Sequence, residues 1–530
     1  MRRPESGEAI RSFSAMSYPK ASNTRVTPPA DPDSFLHTET VRRDLGGYAV
    51  RGAAVTIASQ VFRFLISITG TIVLARLLTP TDYGLIGMVV AITGIVAIFK
   101  DLGLDAVTIQ RSHITEAQLT ALFWINTGLG ILLALVTMGI APVVAWFYGE
   151  PSLTAIAATS GLAFLLGGIV VQHEALLRRQ MRFARLASVD VAAMLFGYMT
   201  GILLAWYGAG YWALVFSQLA QALMRAAALW FCVPWRPRLA AGFSGISSML
   251  TFGGHLTGFA FINYFARNLD NILIGRRWGP HQLGLYSRAY QLLTLPIDQI
   301  GNPITAVAVP TLSRLADSPE RYRAAYLRIL EKIAMLTMPL MALLIMSADS
   351  IVNLLLGPQW SDVSTLFAFL GIAGIVQPAA STAGWLFITQ GRADDMFRWG
   401  LIGGTLTITA ILLGLPWGAT GVAASYSLLT VVVVTPLLWW FVGRKGPVRA
   451  SDFYRTIGPP TAAAITNILA LLIFRRSFAI QSDVLALLAA TGISTSITFV
   501  VLSAFRSGRA GLRDVAVSLA LLTARKRQAT

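Results

Sequence analysis

Fourteen hydrophobic stretches of helical length run through the 530-residue sequence, and they constrain its fold more than any other feature. Their approximate bounds are 52–75, 83–100, 119–147, 153–176, 187–206, 211–233, 248–273, 285–309, 333–356, 363–389, 397–415, 419–442, 457–474 and 484–505. A membrane-spanning helix needs about 20 mainly apolar residues. Charged residues make up only 13% of the chain, whereas a soluble protein carries about 25%. The sequence therefore predicts an all-α integral membrane protein with about fourteen transmembrane helices, and it excludes a soluble globular enzyme.

The usual catalytic and metal-binding patterns are missing from the sequence. Its one cysteine, Cys232, excludes a disulfide framework and a thiolate metal cluster. There is no Gly-Lys-Ser/Thr phosphate loop and no His-Glu-x-x-His pair, and the five histidines are scattered. We therefore expect no catalytic residue, no metal and no cofactor.

Lysine and arginine are distributed unevenly between the predicted loops. With the N-terminus in the cytoplasm, the internal loops hold 19 of these residues and the external loops hold 5. Membrane proteins carry such an excess on the cytoplasmic side. We therefore interpret the net charge of +17 as a topology signal, with both termini cytoplasmic, and expect no nucleic-acid partner.

The predicted external loops are very short. Those at 148–152, 207–210, 357–362 and 416–418 leave no room for an external catalytic domain. Tryptophan and tyrosine cluster at these ends, which is typical of the membrane–water interface. For a few of these aromatic residues, stacking on a sugar at an outer vestibule is the alternative interpretation.

The two ends of the chain differ from its hydrophobic part. Residues 1–48 are polar and contain five prolines, which predicts a disordered, basic cytoplasmic tail. Residues 508–530 combine a leucine and valine face with arginine and lysine. This pattern is typical of an amphipathic helix that lies on an anionic membrane surface.

Two segments 200 residues apart resemble each other. IVLARLLTPTDYGLIGM at 72–88 and ILIGRRWGPHQLGLYSR at 272–288 share Ile72/Ile272, Arg76/Arg276, Pro80/Pro280, Gly84/Gly284 and Leu85/Leu285. Each segment covers the end of one helix, a turn with proline and the beginning of the next helix. Because six helices separate them, the two halves are parallel repeats with a cavity at their interface. We expect six-helix lobes at 49–240 and 241–446 and a final pair of helices at 447–507.

Polar residues in the predicted first helix lie on one face. Gln60, Arg63 and Ser67 are spaced by three and four residues. An arginine near the middle of the membrane costs about 3 kcal/mol on insertion scales. Arg63 should therefore face a cavity or a partner.

The offset of 200 residues extends this face to the second half of the chain. Applied to Arg63, Ser67 and Gly70, it gives Asn263, Arg267 and Asp270, which share one face of the seventh helix. We expect Arg63 and Arg267 to face a common cavity from opposite halves. The alternative is that Arg267 only pairs with a nearby acid such as Asp270.

The predicted eighth helix adds Arg288 and Gln291, one turn apart. Arg288 either extends the cationic cavity or pairs with Asp270. Asp190 and Asp349 lie near predicted helix ends, where we expect structural roles. A site made of cations and amides suits the binding of an anionic amphiphile rather than bond cleavage.

Several long stretches carry a family resemblance. They are VLARLLTPTDYGLIGM (73–88), ALLRRQMRFARLA (175–187), GAGYWALVFSQLAQALMRAAALW (208–230) and RNLDNILIGRRWGPHQLGLYSRAYQLLTLP (267–296). On these stretches the chain resembles the Wzx-type polysaccharide flippases of the multidrug/oligosaccharidyl-lipid/polysaccharide exporter superfamily. The resemblance covers about residues 45–450.

The resemblance implies a V-shaped pair of six-helix lobes with an added final helix pair. It implies translocation of an undecaprenyl-pyrophosphate-linked oligosaccharide across the bacterial inner membrane for lipopolysaccharide or exopolysaccharide biosynthesis. The positions that match the family's cavity are Arg63, Arg267, Asp270 and Arg288. The implied partners are the lipid-linked oligosaccharide, membrane lipids, a polysaccharide polymerase and chain-length proteins.

Two other functions stay open on the sequence alone. Cation-coupled multidrug exporters of the same superfamily usually carry a coupling carboxylate early in the chain, and the predicted first helix has none. A membrane polysaccharide polymerase or ligase needs a large external loop, and none is predicted.

Overall fold

The computed structural model describes residues 45–100, 105, 108–109, 114–238, 247–478, 480–506, 508–511 and 513, and at 45–57, 247–263 and 265–267 it describes the backbone alone. These residues are helical apart from short connections, and no β-strand occurs among them. The predicted all-α class is therefore confirmed. The predicted tails at 1–48 and 508–530 lie almost wholly outside the described residues.

The helices follow one another with few intervening residues. We number the described helices α1 (Leu45–Leu77), α2 (Pro80–Ala97), α3 (Glu116–Tyr148), α4 (Ser152–Gly168), α5 (Val171–Arg179), α6 (Phe183–Trp206), α7 (Tyr211–Cys232), α8 (Ser247–Arg314), α9 (Pro319–Met346), α10 (Ala348–Leu355), α11 (Ser361–Ser381), α12 (Ala383–Thr389), α13 (Ala393–Gly414), α14 (Gly418–Leu429), α15 (Thr435–Gly443), α16 (Ala450–Ser477) and α17 (Asp483–Ala504). A π-helical turn, Thr430–Val434, joins α14 to α15.

Many of these helices can cross a membrane. Within the described residues, ten helical segments are long and apolar enough to do so, and α4 with α5, bent by 41°, forms an eleventh if the pair is one span. One of the ten, Ala393–Gly443, is 51 residues long and covers two of the predicted hydrophobic stretches. The protein is therefore a multi-pass membrane protein, and the count of fourteen spans stays a prediction.

Local sequence explains where α2 and α3 begin. The Thr79 side chain accepts a hydrogen bond from the Asp82 amide, and the Asp82 side chain accepts one from the Thr79 amide. Pro80 fits the first turn of α2, where no amide donor is needed. Thr115 and Gln118 form the same reciprocal cap at α3.

The predicted seventh and eighth helices run into each other in α8. Gly279 has a φ of 80°, a left-handed conformation that glycine adopts without strain. It divides α8 into helices at 247–278 and 280–314. This break lies in the second of the two repeated segments.

The two repeated segments pack against each other. A methyl group on Gly84 would lie 1.7 Å from the Pro280 carbonyl oxygen, and one on Gly284 would lie 1.8 Å from the Pro80 carbonyl oxygen. Both positions therefore require glycine. The contact is reciprocal, because the glycine of each segment meets the proline of the other. We call this end of the helix bundle the Gly–Pro end.

Other contacts between the two halves of the chain lie at the same end. Trp360 Nε1 donates to the Ala75 carbonyl at 2.8 Å, and Arg76 Nη2 donates to the Leu354 carbonyl at 2.6 Å. The side chains of Trp360 and Met88 are fully buried. Hydrogen bonds and apolar packing together hold the two halves tightly at the Gly–Pro end.

Candidate functional site

The polar face of α1 packs along α6. Arg63 Nη1 lies 2.9 Å from Asp190 Oδ2. One turn further along α1, Ser67 Oγ lies 3.3 Å from the Tyr198 hydroxyl, and a methyl group on Gly70 would lie 2.3 Å from a carbon of the same ring. Asp190 and Tyr198 are eight residues apart and so lie about two turns apart on one face of α6. The partner of Arg63 is therefore an acid from another helix of the first half.

Five charged side chains form a continuous network beside α1. One oxygen of Asp190 accepts from Arg63, and the other lies 3.3 Å from Arg225 Nη2. Arg225 Nη2 also lies 3.0 Å from Glu174, which accepts a 2.6 Å hydrogen bond from Arg178. We call these five residues the arginine–carboxylate network. Its three arginines and two carboxylates have a net charge of +1.

The network borders a cavity of about 410 Å³, which we call the network cavity. Its lining residues are Ser59, Arg63, Ile109, Arg178, Phe183, Leu186, Ala187 and Asp190. Arg63 and Asp190 keep 32% and 20% of their side-chain surface exposed. The ion pair is thus reachable from the cavity, and the volume lies in the range of small-molecule binding sites.

Arg288 of α8 has a different environment. Its guanidinium carbon lies 3.8 Å from the centre of the Tyr83 ring, which is a cation–π contact between the two halves of the chain. Its Nη1 donates to Gln291 Oε1, one turn along the helix. Its Nε is buried and has no hydrogen-bond partner. One donor of this cation is therefore unsatisfied.

A second cavity, of about 260 Å³, lies between α1 and α8, and we call it the α1–α8 cavity. Its lining residues are Ser67, Ile68, Thr71, Ile72, Arg288, Gln291, Leu292, Leu295, Pro296, Leu340, Leu344, Ile351, Leu355, Leu356 and Phe367. Most of these side chains are apolar, and Arg288 with Gln291 forms a polar corner. Such a surface suits an apolar chain that carries a polar group.

Asp270 is held by neutral donors. The Tyr286 hydroxyl donates to one carboxylate oxygen at 2.8 Å, and the Asn271 amide donates to the other at 2.8 Å. Tyr286 itself is buried. Of the two alternatives for Arg288, pairing with Asp270 is not what the structure has, because the guanidinium bonds to Gln291 instead.

The structure separates the predicted site residues. Ser67, Arg288 and Gln291 line the α1–α8 cavity, and Arg63 lines the network cavity. Gln60 is exposed on α1.

The side chains of Asn263 and Arg267 lie outside the described residues, which include only the backbone of α8 at these positions. A cavity shared by Arg63 and Arg267 therefore stays a prediction. So does the alternative pairing of Arg267 with Asp270.

The sequence patterns predict no role for Arg225 and a structural role for Asp190. Arg225 lies in the interior of a predicted span, and a charge in that position is itself a signal of function. Asp190 lies further inside its helix than predicted, because α6 begins at Phe183 rather than at 187. The expected structural role of Asp349 agrees with its ion pair with Arg475, at 2.5 Å.

Named proteins with similar sequences act in polysaccharide biosynthesis. The lipopolysaccharide biosynthesis protein WzxC of Escherichia coli (strain K12) is 26% identical over 392 residues, 73% of this chain and 78% of its own length. The succinoglycan biosynthesis transport protein ExoT of Rhizobium meliloti (strain 1021) is 24% identical over 487 residues, 91% of this chain and 96% of its own length.

Solved structures share the fold. The lipid II flippase MurJ in an inward closed conformation superposes with a TM-score of 0.69 at 12% identity, over 86% of this chain and 98% of that one. A multidrug resistance MATE family transporter of the MOP superfamily, in an inward-facing conformation, has a TM-score of 0.55 at 13% identity, over 77% and 95%. At these identities the likeness concerns the fold alone.

A family model described as "Polysaccharide biosynthesis protein" matches residues 73–365, more than half of the chain. The matched segment includes both turns of the Gly–Pro end, the Asp190–Arg225 pair and Arg288. The chain therefore belongs to the polysaccharide biosynthesis protein family.

Proposed function

We propose that this protein is a flippase. It moves an undecaprenyl-pyrophosphate-linked oligosaccharide repeat unit across the bacterial inner membrane, for lipopolysaccharide or exopolysaccharide biosynthesis. It binds and releases the lipid without breaking bonds, so it is not an enzyme. The proposal rests on the family and on the match between this substrate and the two cavities.

The observation that carries the proposal is the pair of cavities that α1 lines. Ser59 and Arg63 line the charged network cavity, and Ser67 and Ile72 line the mostly apolar α1–α8 cavity. Arg63 and Ser67 are about one turn, or about 6 Å, apart along the helix axis. A lipid diphosphate joins an anionic head to a long apolar chain, and arginine binds phosphate oxygens bidentately. The network cavity therefore suits the diphosphate, and the α1–α8 cavity suits the beginning of the chain.

Transport requires that the cavities open to one side of the membrane at a time. The contacts of the Gly–Pro end hold the two halves of the chain together. The predicted topology assigns this end to the external side, with both termini in the cytoplasm. We infer that substrate enters from the cytoplasmic side in this state and that separation at the Gly–Pro end releases it.

The comparisons support a role in polysaccharide export, because both relatives are named for polysaccharide biosynthesis and one is named a transport protein. The fold does not separate a lipid flippase from a multidrug exporter, since it is similar to structures of both. The proposed partners are the lipid-linked oligosaccharide, the surrounding lipids, a polysaccharide polymerase and chain-length proteins.

Lipid analysis of a deletion strain tests the proposal. We expect the lipid-linked oligosaccharide to accumulate in the cytoplasmic leaflet and to disappear when the wild-type gene is returned. Unchanged glycolipid together with increased sensitivity to cationic drugs would contradict the proposal and favour multidrug export.

A further inference from the structure

Asp190 can release Arg63 without losing all of its ion pairs. Its Oδ2 lies 2.9 Å from Arg63, and its Oδ1 lies 3.3 Å from Arg225. The two arginines thus contact different oxygens of one carboxylate. When one arginine leaves, the other still compensates the charge, which avoids an unpaired ion in a low-dielectric site.

The other carboxylate of the network, Glu174, also has two arginine partners. Arg225 is shared with Glu174 at 3.0 Å, and Glu174 has Arg178 as a second partner at 2.6 Å. Each carboxylate therefore contacts two arginines. The loss of Arg63 from one end of the network leaves both carboxylates paired.

A ligand in the network cavity can take over Arg63 from Asp190. Arg63 lies at the end of the network and lines the network cavity, whereas Arg225 lies between the two carboxylates. Arg178, at the other end, lines the same cavity. An anion in this cavity therefore meets an arginine from each end of the network, and Asp190 competes with it for Arg63.

We propose that Asp190 is a positioning residue that holds Arg63 in the substrate-free protein and gives it up to the diphosphate of the substrate. The exchange limits the affinity for the anion and so permits its release after transport. This inference rests on the proposed flippase function and assigns the diphosphate to the network cavity.

The test compares two variants that each remove one negative charge from the network. Asp190→Asn abolishes the competition for Arg63, whereas Glu174→Gln leaves the Arg63–Asp190 pair in place. The probe is geranylgeranyl diphosphate bound to the purified protein in lipid nanodiscs, with geranylgeraniol as the uncharged control. We expect Asp190→Asn to lower the Kd about ten-fold, which equals about 1.4 kcal/mol. Glu174→Gln frees Arg178, which lines the same cavity, but leaves Arg63 paired, so we expect it to lower the Kd clearly less than Asp190→Asn does. Arg63→Ala should weaken binding strongly.

A measurement with Asp190 intact locates the probe, in case the asparagine variant does not fold. Ala187 lines the network cavity, and Ala184 is exposed on the same helix outside it. In a Cys232→Ser background, the diphosphate should protect Ala187→Cys from a charged thiol reagent and leave Ala184→Cys unprotected. Absence of protection at position 187 would overturn the inference.

Turnover separates exchange from a structural role. In proteoliposomes, Asp190→Asn should bind the probe more tightly but flip lipid more slowly, because release is impaired. The reversed pair, Arg63→Asp with Asp190→Arg, should stay inactive even if it folds, since the new arginine would lie beside Arg225. Wild-type activity in the reversed pair would show that the pair is only structural.

The outcomes distinguish this inference from the proposed function. If the wild type binds the diphosphate and Arg63→Ala weakens binding, but Asp190→Asn binds no more tightly than wild type, the exchange is wrong and the flippase stands. If the wild type binds the diphosphate no better than geranylgeraniol, the inference is wrong, and lipid analysis of the deletion strain decides the flippase function separately.

Discussion

Gly84 of α2 lies directly against the backbone carbonyl of Pro280 in α8, and Gly284 lies against the carbonyl of Pro80 in the same way. When two segments in contact are related by a two-fold axis, each interaction between them occurs twice, once in each direction. The sequence repeat at an offset of 200 residues is thus matched by a reciprocal contact between its two copies. Separation of the halves at this end must break both contacts together.

Gly84→Ala tests how much that contact contributes. The added methyl group cannot fit beside the Pro280 carbonyl, and overpacking of this kind costs about 1–3 kcal/mol. Gly87→Ala is the matched control, because its methyl group would lie 3.4 Å from Leu283, an ordinary contact. Both variants gain similar helix propensity, so thermal unfolding of the purified proteins isolates the clash. Equal melting temperatures for the two variants would contradict this account of the Gly–Pro end.

Arg63→Ala should abolish polysaccharide export while the protein still inserts. The variant removes a cation of the network cavity and leaves Asp190 paired with Arg225. Arg63→Lys should rescue export only in part, because an ammonium cannot reproduce the bidentate contact of a guanidinium with a diphosphate. Surface polysaccharide and the amount of protein in the membrane are measured together. Arg277→Ala, at an exposed position of the Gly–Pro end, is the control; normal export by Arg63→Ala would remove Arg63 from the site.

Tyr83→Leu should weaken the position of Arg288. The ring under the guanidinium contributes about 0.5–2 kcal/mol as a cation–π partner, and leucine cannot replace it. Tyr83→Phe keeps the ring and serves as the control. We expect the leucine variant to lower the free energy of unfolding by about this amount relative to phenylalanine, and to reduce export more. If the two variants behave alike, the contact with Arg288 has no functional role.

The proposed orientation is open to a labelling experiment. Tyr207 and Trp417 are 84% and 74% exposed, and Asp394 is exposed at the opposite end of the bundle. In a Cys232→Ser background, Tyr207→Cys and Trp417→Cys should react with an impermeant maleimide on intact spheroplasts. Asp394→Cys should react only after permeabilisation. The reverse pattern would place the Gly–Pro end in the cytoplasm.

Sequence alone predicted the helices well because apolar stretches and turn residues are local signals. The cap formed by Thr79 and Asp82 and the turn at Pro80 mark where α2 begins, and both are legible in neighbouring residues. The position of Arg63 on a polar face could also be predicted, because it follows from the spacing of neighbouring residues.

The partners of the predicted site residues could not be predicted from the sequence. Asp190 is 127 residues from Arg63, and only the packing of α6 on α1 brings them together. Arg288 was expected either to extend the cationic cavity or to pair with Asp270, and neither alternative named Tyr83, the aromatic residue 205 positions earlier in the chain over which the guanidinium lies. Contacts between residues so far apart in the sequence depend on how the helices cross. Local patterns in a single sequence do not reveal this packing.

Translocation of a fluorescent undecaprenyl-pyrophosphate-linked oligosaccharide in proteoliposomes measures the proposed flippase activity itself. An impermeant quencher reaches only the outer leaflet, so protein-free vesicles retain about half of their fluorescence. With the wild-type protein we expect nearly all of the fluorescence to be quenched, and with Arg63→Ala we expect about half to remain, as without protein. If the wild-type protein folds and binds the lipid but leaves half of the fluorescence unquenched, it is not a flippase for this lipid.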